Sequence, residues 1–145
     1  MKQALVTARR RAVRLLYLPT VLSWMVAVEL AVRPIPLSRL SRLLGVPLDA
    51  TPADVSSPPV QPPLSRWQAG QLRTLLPLAK RWPFAVGPCL RQALVAGHIL
   101  RKHHPVLRLG VATNQGAVQA HAWVEVGGVV VGDAHGYLPL VNDGP

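Results

Sequence analysis

The chain has 145 residues, which is enough for one domain around a single hydrophobic core. Half of the residues are apolar, which excludes an intrinsically disordered protein, and the single cysteine excludes an internal disulfide and the disulfide-rich secreted class. Sixteen Lys and Arg against six Asp and Glu give a net charge of +10, which favours an acidic partner, although an arginine-rich composition alone can carry such an excess.

Residues 1–47 are predicted to form a basic, leucine-rich helical region. One helix or two cover residues 1–32, with Pro19 at a kink or a boundary. A short basic helix follows from Leu37 to Leu44 and ends at Gly45. Spacings of three and four residues predict the buried face of the first region, which consists of Leu15, Leu18, Leu22, Met25, Val26 and Glu29.

The apolar run from Leu15 to Val28 is not predicted to cross a membrane or to direct secretion. Its fourteen residues are fewer than the ~20 that a spanning helix needs. Pro19 interrupts the run, and Glu29 ends it without a small-residue cleavage site. We therefore expect a cytoplasmic protein, in which contact of the basic helices with a membrane surface is not favoured.

Residues 48–64 are predicted to be a proline-rich linker, and residues 65–145 are predicted to form the core region of what is one compact unit overall. The core begins with a helix that Ser65 caps, with Leu72, Leu75, Leu76 and Ala79 on its inner face. A second helix is predicted from Cys89 to Lys102, where Pro105 prevents its continuation. Both helices are expected to bury one apolar side.

After Pro105 the apolar residues alternate with a period of two, which predicts strands. The predicted strands are Val106–Ala112, Val118–Val126 and Val129–Val131, and Gly127-Gly128 is typical of a tight hairpin turn. Because helices come first and a small antiparallel sheet follows, the sequence predicts an α+β fold.

The position of Cys89 suggests a catalytic nucleophile. A thiol reacts as the thiolate, which the N-terminus of a helix and a neighbouring imidazolium both favour. Cys89 follows Gly87-Pro88 and opens a helical pattern, so it is expected in the first helical turn. The backbone N–H groups of that turn would also face an oxyanion that forms at a substrate carbonyl.

His121 and Asp133 are the candidate partners of this cysteine. His121 lies mid-strand between two alanines, and Asp133 follows the next strand, where its carboxylate can orient the imidazole. Each residue alone has a structural explanation: a buried apolar cysteine, a hydrogen-bonded core histidine and a turn aspartate. The order of all three, on a helix start and two adjacent strands, favours a Cys89, His121 and Asp133 triad.

Three segments resemble the lasso-peptide leader peptidases, which are transglutaminase-like cysteine peptidases of ribosomal peptide biosynthesis. These segments are Pro88–Leu94, Leu107–Val111 and His121–Glu125, and the resemblance extends from about Trp67 to Asp133. The 32 residues from Cys89 to His121 and the 12 from His121 to Asp133 also suit that family. The basic N-terminal region matches it only loosely.

The resemblance implies a transglutaminase-like or papain-like fold and an acyl-enzyme on Cys89, without cofactor or metal. It implies that the substrate is a precursor peptide whose leader is removed. Only about 65 residues precede the catalytic part, and they read as helices and linker, so we expect a stand-alone peptidase. Leader recognition then falls to a separate small protein, with an asparagine-synthetase-like lasso cyclase as a further partner.

Other functions are compatible with parts of the sequence. An amide-forming transglutaminase would use the same triad. A metal site could be drawn from Cys89 with His98, His103, His104, His121 and His135, but no CxxC or HxxxH spacing supports it. A basic, non-enzymatic protein that binds nucleic acid or a membrane surface would use the +10 charge and the four tryptophans, but no recognition motif accompanies them.

Overall fold

The computed structural model describes residues 2–49, 62–81, 88–114, 117–131 and 138–139. Within these ranges four α-helices precede four strands. The helices are α1 (Lys2–Ala31), α2 (Leu37–Leu43), α3 (Arg66–Ala79) and α4 (Pro88–Ile99). The strands are β1 (Val106–Asn114), β2 (Ala117–Val126), β3 (Val129–Val131) and β4 (Leu138–Pro139). The predicted α+β fold is confirmed.

Helix α1 runs through Pro19 as one helix, so of the two predicted alternatives the single helix is confirmed and the boundary at Pro19 is wrong. One turn after Pro19, the Ser23 hydroxyl donates a hydrogen bond to the Pro19 carbonyl oxygen at 2.8 Å. The buried face agrees with the predicted one only in part: Met25 and Glu29 are buried as predicted, but Leu15 and Val26 are exposed. Tyr17, Val21 and Val28 are buried instead. The apolar residues of α1 surround much of the helix, so packing against α3 and α4 decides which of them are buried.

Helix α3 begins as predicted at Ser65. The Ser65 hydroxyl accepts a hydrogen bond from the Gln68 backbone N–H, and the Gln68 side chain accepts one from the Ser65 N–H, both at 3.1 Å. Gly70 allows α1 to come close, because a Cβ at this position would lie 2.3 Å from the Tyr17 ring. The fully buried Leu75 then anchors α3 in the core.

Helix α4 is the centre of the core, since it contacts α1 and α3 as well as β1 and β2. Leu94, Val95 and Leu100 are completely buried. The α-helix ends at Ile99, three residues before the predicted end, and continues as a single 3-10 turn over Arg101–His103. His104 then adopts a left-handed conformation with φ of 52°, which stops the helix before Pro105.

The sheet has the strand order β3-β2-β1-β4, with every neighbouring pair antiparallel. Gly127 and Gly128 both have positive φ, 56° and 76°, as the predicted hairpin between β2 and β3 requires. Leu48 adds a parallel bridge to Leu107, so the chain that follows α2 reaches β1. Strand β4 was not predicted, because two residues that include a proline give no alternation to recognise.

Most of the predicted proline-rich linker, Asp133 and the C-terminal residues lie outside the described residues. The predicted domain boundaries therefore remain predictions. Among the described helices, none is long and apolar enough to span a membrane.

Candidate active site

Cys89 is the second residue of α4 and lies in its first turn, directly after Pro88. The thiol is free and half-buried, and the side chain packs against the hydrophobic core. Proline is well placed at the first helical position because an N–H there has no partner within the helix. The N-terminus of α4, whose first backbone N–H groups lack a partner within the helix and whose dipole end is positive, is thus close to Cys89.

His121 lies on β2, directly opposite Gly110 of β1. Its imidazole is half-buried and stacks on Trp123, with ring centroids 6.1 Å apart and planes inclined by 20°. Residues 117–120 before it are exposed, whereas Ala122 after it is buried. His121 is therefore at the point where β2 enters the core.

A row of polar contacts continues from Trp123 across the same face of the sheet. The Trp123 indole Nε1 donates to Glu125 Oε1 at 3.0 Å, and Arg108 Nε donates to Glu125 Oε2, also at 3.0 Å. Arg108 Nη1 in turn donates to the Asp49 carbonyl at 3.1 Å. These contacts hold the Trp123 side chain in place, and its ring is the surface on which His121 stacks.

The sequence interpretation did not identify Arg108 or Asp49 as part of this region. The available signal was a charged residue in the middle of an apolar strand, because a buried arginine requires a carboxylate partner. Arg108 is 7% exposed and contacts both Glu125 and Asp49. Asp49 comes from the segment that was interpreted only as linker.

The two faces of β2 have different surroundings. Ala122, Val124 and Val126 belong to the same buried cluster as the inner side of α4. Because side chains alternate along a strand, His121 extends from the opposite face. The packing of α4 on β2 brings the elements of Cys89 and His121 together, and the thiol and the imidazole start from different sides of the strand.

An ion pair joins the beginning of α4 to α1. Arg91, two residues after Cys89, forms an ion pair with Glu29, with Arg91 Nη2 donating to Glu29 Oε1 at 3.1 Å. Both side chains are largely buried, at 15% and 11% exposure. Burial of Glu29 confirms its predicted place on the inner face of α1. This pair ties the turn that carries the thiol to the N-terminal helix.

The remaining candidate residues are separated from the thiol or lie outside the description. Asp133 and His135 are both outside the described residues. His98 and His103 lie at the other end of α4, where His98 Nδ1 is 3.1 Å from the Leu44 carbonyl oxygen. No three His, Cys, Asp or Glu side chains within the described ranges are grouped as metal ligands.

Comparison with known proteins gives a match to a protein family. A family model described as the transglutaminase-like superfamily matches residues 31–141, which is most of the chain and includes Cys89, His121 and Asp133. No curated protein and no solved structure matches significantly. The family match agrees with the order of elements, in which helices precede a small antiparallel sheet.

Proposed function

Because the chain belongs to the transglutaminase-like superfamily, we propose that it is a cysteine peptidase with Cys89 as nucleophile, His121 as base and Asp133 as the residue that orients the imidazole. The observation that carries the proposal is the place of Cys89 in the first turn of a helix that packs on the strand of His121. Cysteine-dependent acyl chemistry is usual in this superfamily. Hydrolysis of a peptide bond is the specific activity that we propose.

In the proposed reaction the Cys89 thiolate attacks a peptide carbonyl carbon, and a C–S bond forms while the carbonyl oxygen takes the negative charge. Backbone N–H groups of the first turn of α4 are placed to stabilise this oxyanion. The imidazolium of His121 then gives its proton to the leaving amine as the C–N bond breaks. Water, deprotonated by His121, hydrolyses the thioester and regenerates the thiol.

We further propose that the substrate is a lasso-peptide precursor and that the bond cleaved joins its leader to its core. Support comes from the Pro88–Leu94 and His121–Glu125 segments, which resemble the leader peptidases of that pathway. In this proposal a separate small recognition protein holds the leader, and an asparagine-synthetase-like cyclase acts on the released core. A partner that holds the leader raises the effective concentration of the scissile bond to as much as ~mM.

The test is cleavage of the full precursor by wild-type protein and by Cys89→Ala, His121→Ala and Asp133→Asn, followed by mass spectrometry. We expect the first two variants to lose cleavage while circular dichroism shows an intact fold, and Asp133→Asn to retain more activity. Cleavage by a folded Cys89→Ala protein would contradict the triad. Equal kcat/KM with and without the recognition protein, at low and at high salt, would contradict the partner.

The same assay separates the alternatives. If a primary amine is added and the product carries that amine, the protein is an amide-forming transglutaminase, which uses the same acyl-enzyme. A basic protein that binds nucleic acid or a membrane surface would keep its binding after alkylation of Cys89. The +10 charge is the observation that favours this second class, and the family match is the observation against it.

A further inference from the structure

A cleft of about 580 Å³ lies between α1, α3 and α4 at the end of α4 that is remote from Cys89. Its walls include residues from His98 to His103, nine or more positions beyond Cys89. At 1.5 Å per residue this corresponds to roughly 14 Å or more along the helix axis. The volume is in the range of ligand-binding pockets, ~300–1,000 Å³. We call it the α4 cleft.

Two tryptophans give the α4 cleft an apolar wall. Trp24 of α1 lies against His98, with ring centroids 3.9 Å apart. Trp67 of α3 is 49% exposed, and its ring is held edge-on against Tyr17 with centroids 4.6 Å apart. Such a large exposed aromatic surface, fixed from behind by another ring, is a favourable contact for an apolar side chain.

Basic residues form the other side of the α4 cleft. Arg101, Lys102 and His103 line it, and no carboxylate is found among the described residues that line it. Two carbonyl oxygens at the end of α4 already accept hydrogen bonds, the Ile99 oxygen from Gln68 Nε2 and the His98 oxygen from Arg101 Nη1. The cleft also includes the N-terminus of α3, which has no acidic residue in its first turn.

A largely buried amide side chain lines the α4 cleft. Gln71 is one of the lining residues and is only 7% exposed. Because an amide both donates and accepts hydrogen bonds, it is complementary to a peptide bond. Gln71 therefore gives the cleft a polar group that can recognise a ligand independently of charge.

We propose that the α4 cleft binds an acidic peptide segment, with an apolar side chain against the tryptophans and carboxylates near Arg101, Lys102 and His103. The choice of a peptide rests on the proposed function. The basic residues line one concave site beside a largely buried amide, whereas a nucleic-acid surface requires a continuous basic track. The ligand would lie at a distance from the thiol, as a substrate segment outside the scissile site does.

The test measures binding directly, with the full chain carrying Cys89→Ala so that turnover does not interfere. The probe is a fluorescein-labelled dodecapeptide with four glutamates around two central leucines and glycine and serine elsewhere, measured by fluorescence anisotropy. We expect saturable binding that weakens at least about tenfold in Lys102→Glu, which reverses a charge at the cleft. Lys80→Glu is the matched control, since Lys80 is exposed at the far end of α3; its effect should stay below about twofold.

Gln71→Glu keeps the size of the buried side chain and places a carboxyl group in the cleft, so we expect about tenfold weaker binding with an unchanged circular dichroism spectrum.

Absence of saturable binding, or equal losses in Lys102→Glu and Lys80→Glu, would overturn the proposal. Tighter binding of a twelve-residue oligo-dT that depends on Lys102 would overturn the assignment to a peptide. If the peptide binds but wild-type protein cleaves no precursor, the peptidase proposal is wrong, whereas the proposal that the α4 cleft binds an acidic peptide stands.

Discussion

At the scale of single residues, Cys89 and His121 are the pair on which the chemistry depends. The half-buried thiol is at the beginning of α4, and the imidazole stacks on Trp123 at the entry of β2 into the core. The sheet face of His121 is opposite to the face that packs with α4. Whether the imidazole activates the thiol is therefore a question of reactivity, and the single cysteine makes that reactivity easy to measure.

We predict that iodoacetamide alkylates Cys89 at pH 6.5 at least about tenfold faster in wild-type protein than in His121→Ala, because an imidazolium beside the sulfur favours the thiolate. Mass spectrometry reports the rate without ambiguity, since no other cysteine is present. His104→Ala is the control, as His104 is exposed beyond the end of α4. Equal rates in wild-type protein and His121→Ala would exclude His121 as the partner of the thiol.

His98 gives a second prediction at this scale. Burial lowers the pKa of His98 from 6.5; the hydrogen bond to the Leu44 carbonyl opposes this shift, and the nearby Arg101 adds to it. The folded state therefore favours neutral His98, and protonation favours the unfolded state. The free energy of unfolding should fall as the pH decreases below about 6.5, where unfolded histidine begins to take up its proton.

Urea denaturation at pH 7.5 and pH 5.5 measures this effect. The fall in stability between the two pH values should be smaller in His98→Asn than in wild-type protein, while His104→Asn should behave like wild type. An identical pH dependence in His98→Asn and wild-type protein would show that another group is responsible.

At the scale of elements, the contact of α1 with α4 determines where the thiol is held. Glu29 and Arg91 are both largely buried, so removal of one charge leaves the other without its partner. We predict that Glu29→Met lowers the free energy of unfolding by about 3 kcal/mol, the lower limit of the range for a buried pair. Chemical denaturation measures it.

The double variant Glu29→Met/Arg91→Met should recover much of that loss, because no unpaired charge is left. Arg33→Met is the control, since Arg33 is 76% exposed and lies 3.7 Å from Glu29, and it should change stability by less than about 0.5 kcal/mol. If the double variant is as unstable as the two single variants added together, the two side chains do not interact.

Local signals predicted most of these elements. Ser65 with Gln68 three residues later marks the start of α3, and Gly127-Gly128 fixes the hairpin, because both depend on chemistry within a few residues. The buried face of α1 was predicted only in part, since leucines on several sides of a helix leave the choice to tertiary packing. The contact of Arg108 with Asp49 joins residues 59 positions apart, and no local pattern encodes it.

In the candidate site, too, local features were predicted and features that depend on tertiary packing were not. Cys89 was predicted at a helix start from Gly87-Pro88, and the structure places it there. The α4 cleft was not predicted, because its walls come from three helices whose relative positions a single sequence does not give. The roles of Cys89, His121 and Asp133 stay predictions until the reactivity and cleavage assays are done.

At the scale of the whole molecule, the basic N-terminal helices belong to the core. Val21, Met25 and Val28 of α1 are at most 2% exposed and join one buried cluster with α3, α4 and the sheet. Val46, after α2, is fully buried against Gly97 of α4, where a Cβ would lie 2.5 Å from the valine methyl groups. The N-terminal region therefore stabilises the part of the chain that carries the thiol.

We predict that deletion of residues 1–45 yields a protein that is insoluble or lacks a cooperative unfolding transition, because it exposes the buried faces of α3 and α4. Thermal unfolding followed by circular dichroism measures this. Arg39→Ser is a control that removes an exposed charge of the region without affecting the core. A truncated protein that is soluble, equally stable and fully active would show that the region is dispensable.

Helix α4 also sets the distance between the thiol and the α4 cleft. It has twelve residues, with the thiol in its first turn and the α4 cleft at its last turn, and α1, α3 and the sheet pack against its sides. An extended peptide advances about 3.3 Å per residue, so a separation of roughly 14 Å corresponds to at least four residues. A substrate held in the cleft could therefore present to the thiol only a peptide bond that lies at least four residues away. Helix α4 would then act as a ruler, which selects the bond by its distance along the substrate and not by the side chains beside it.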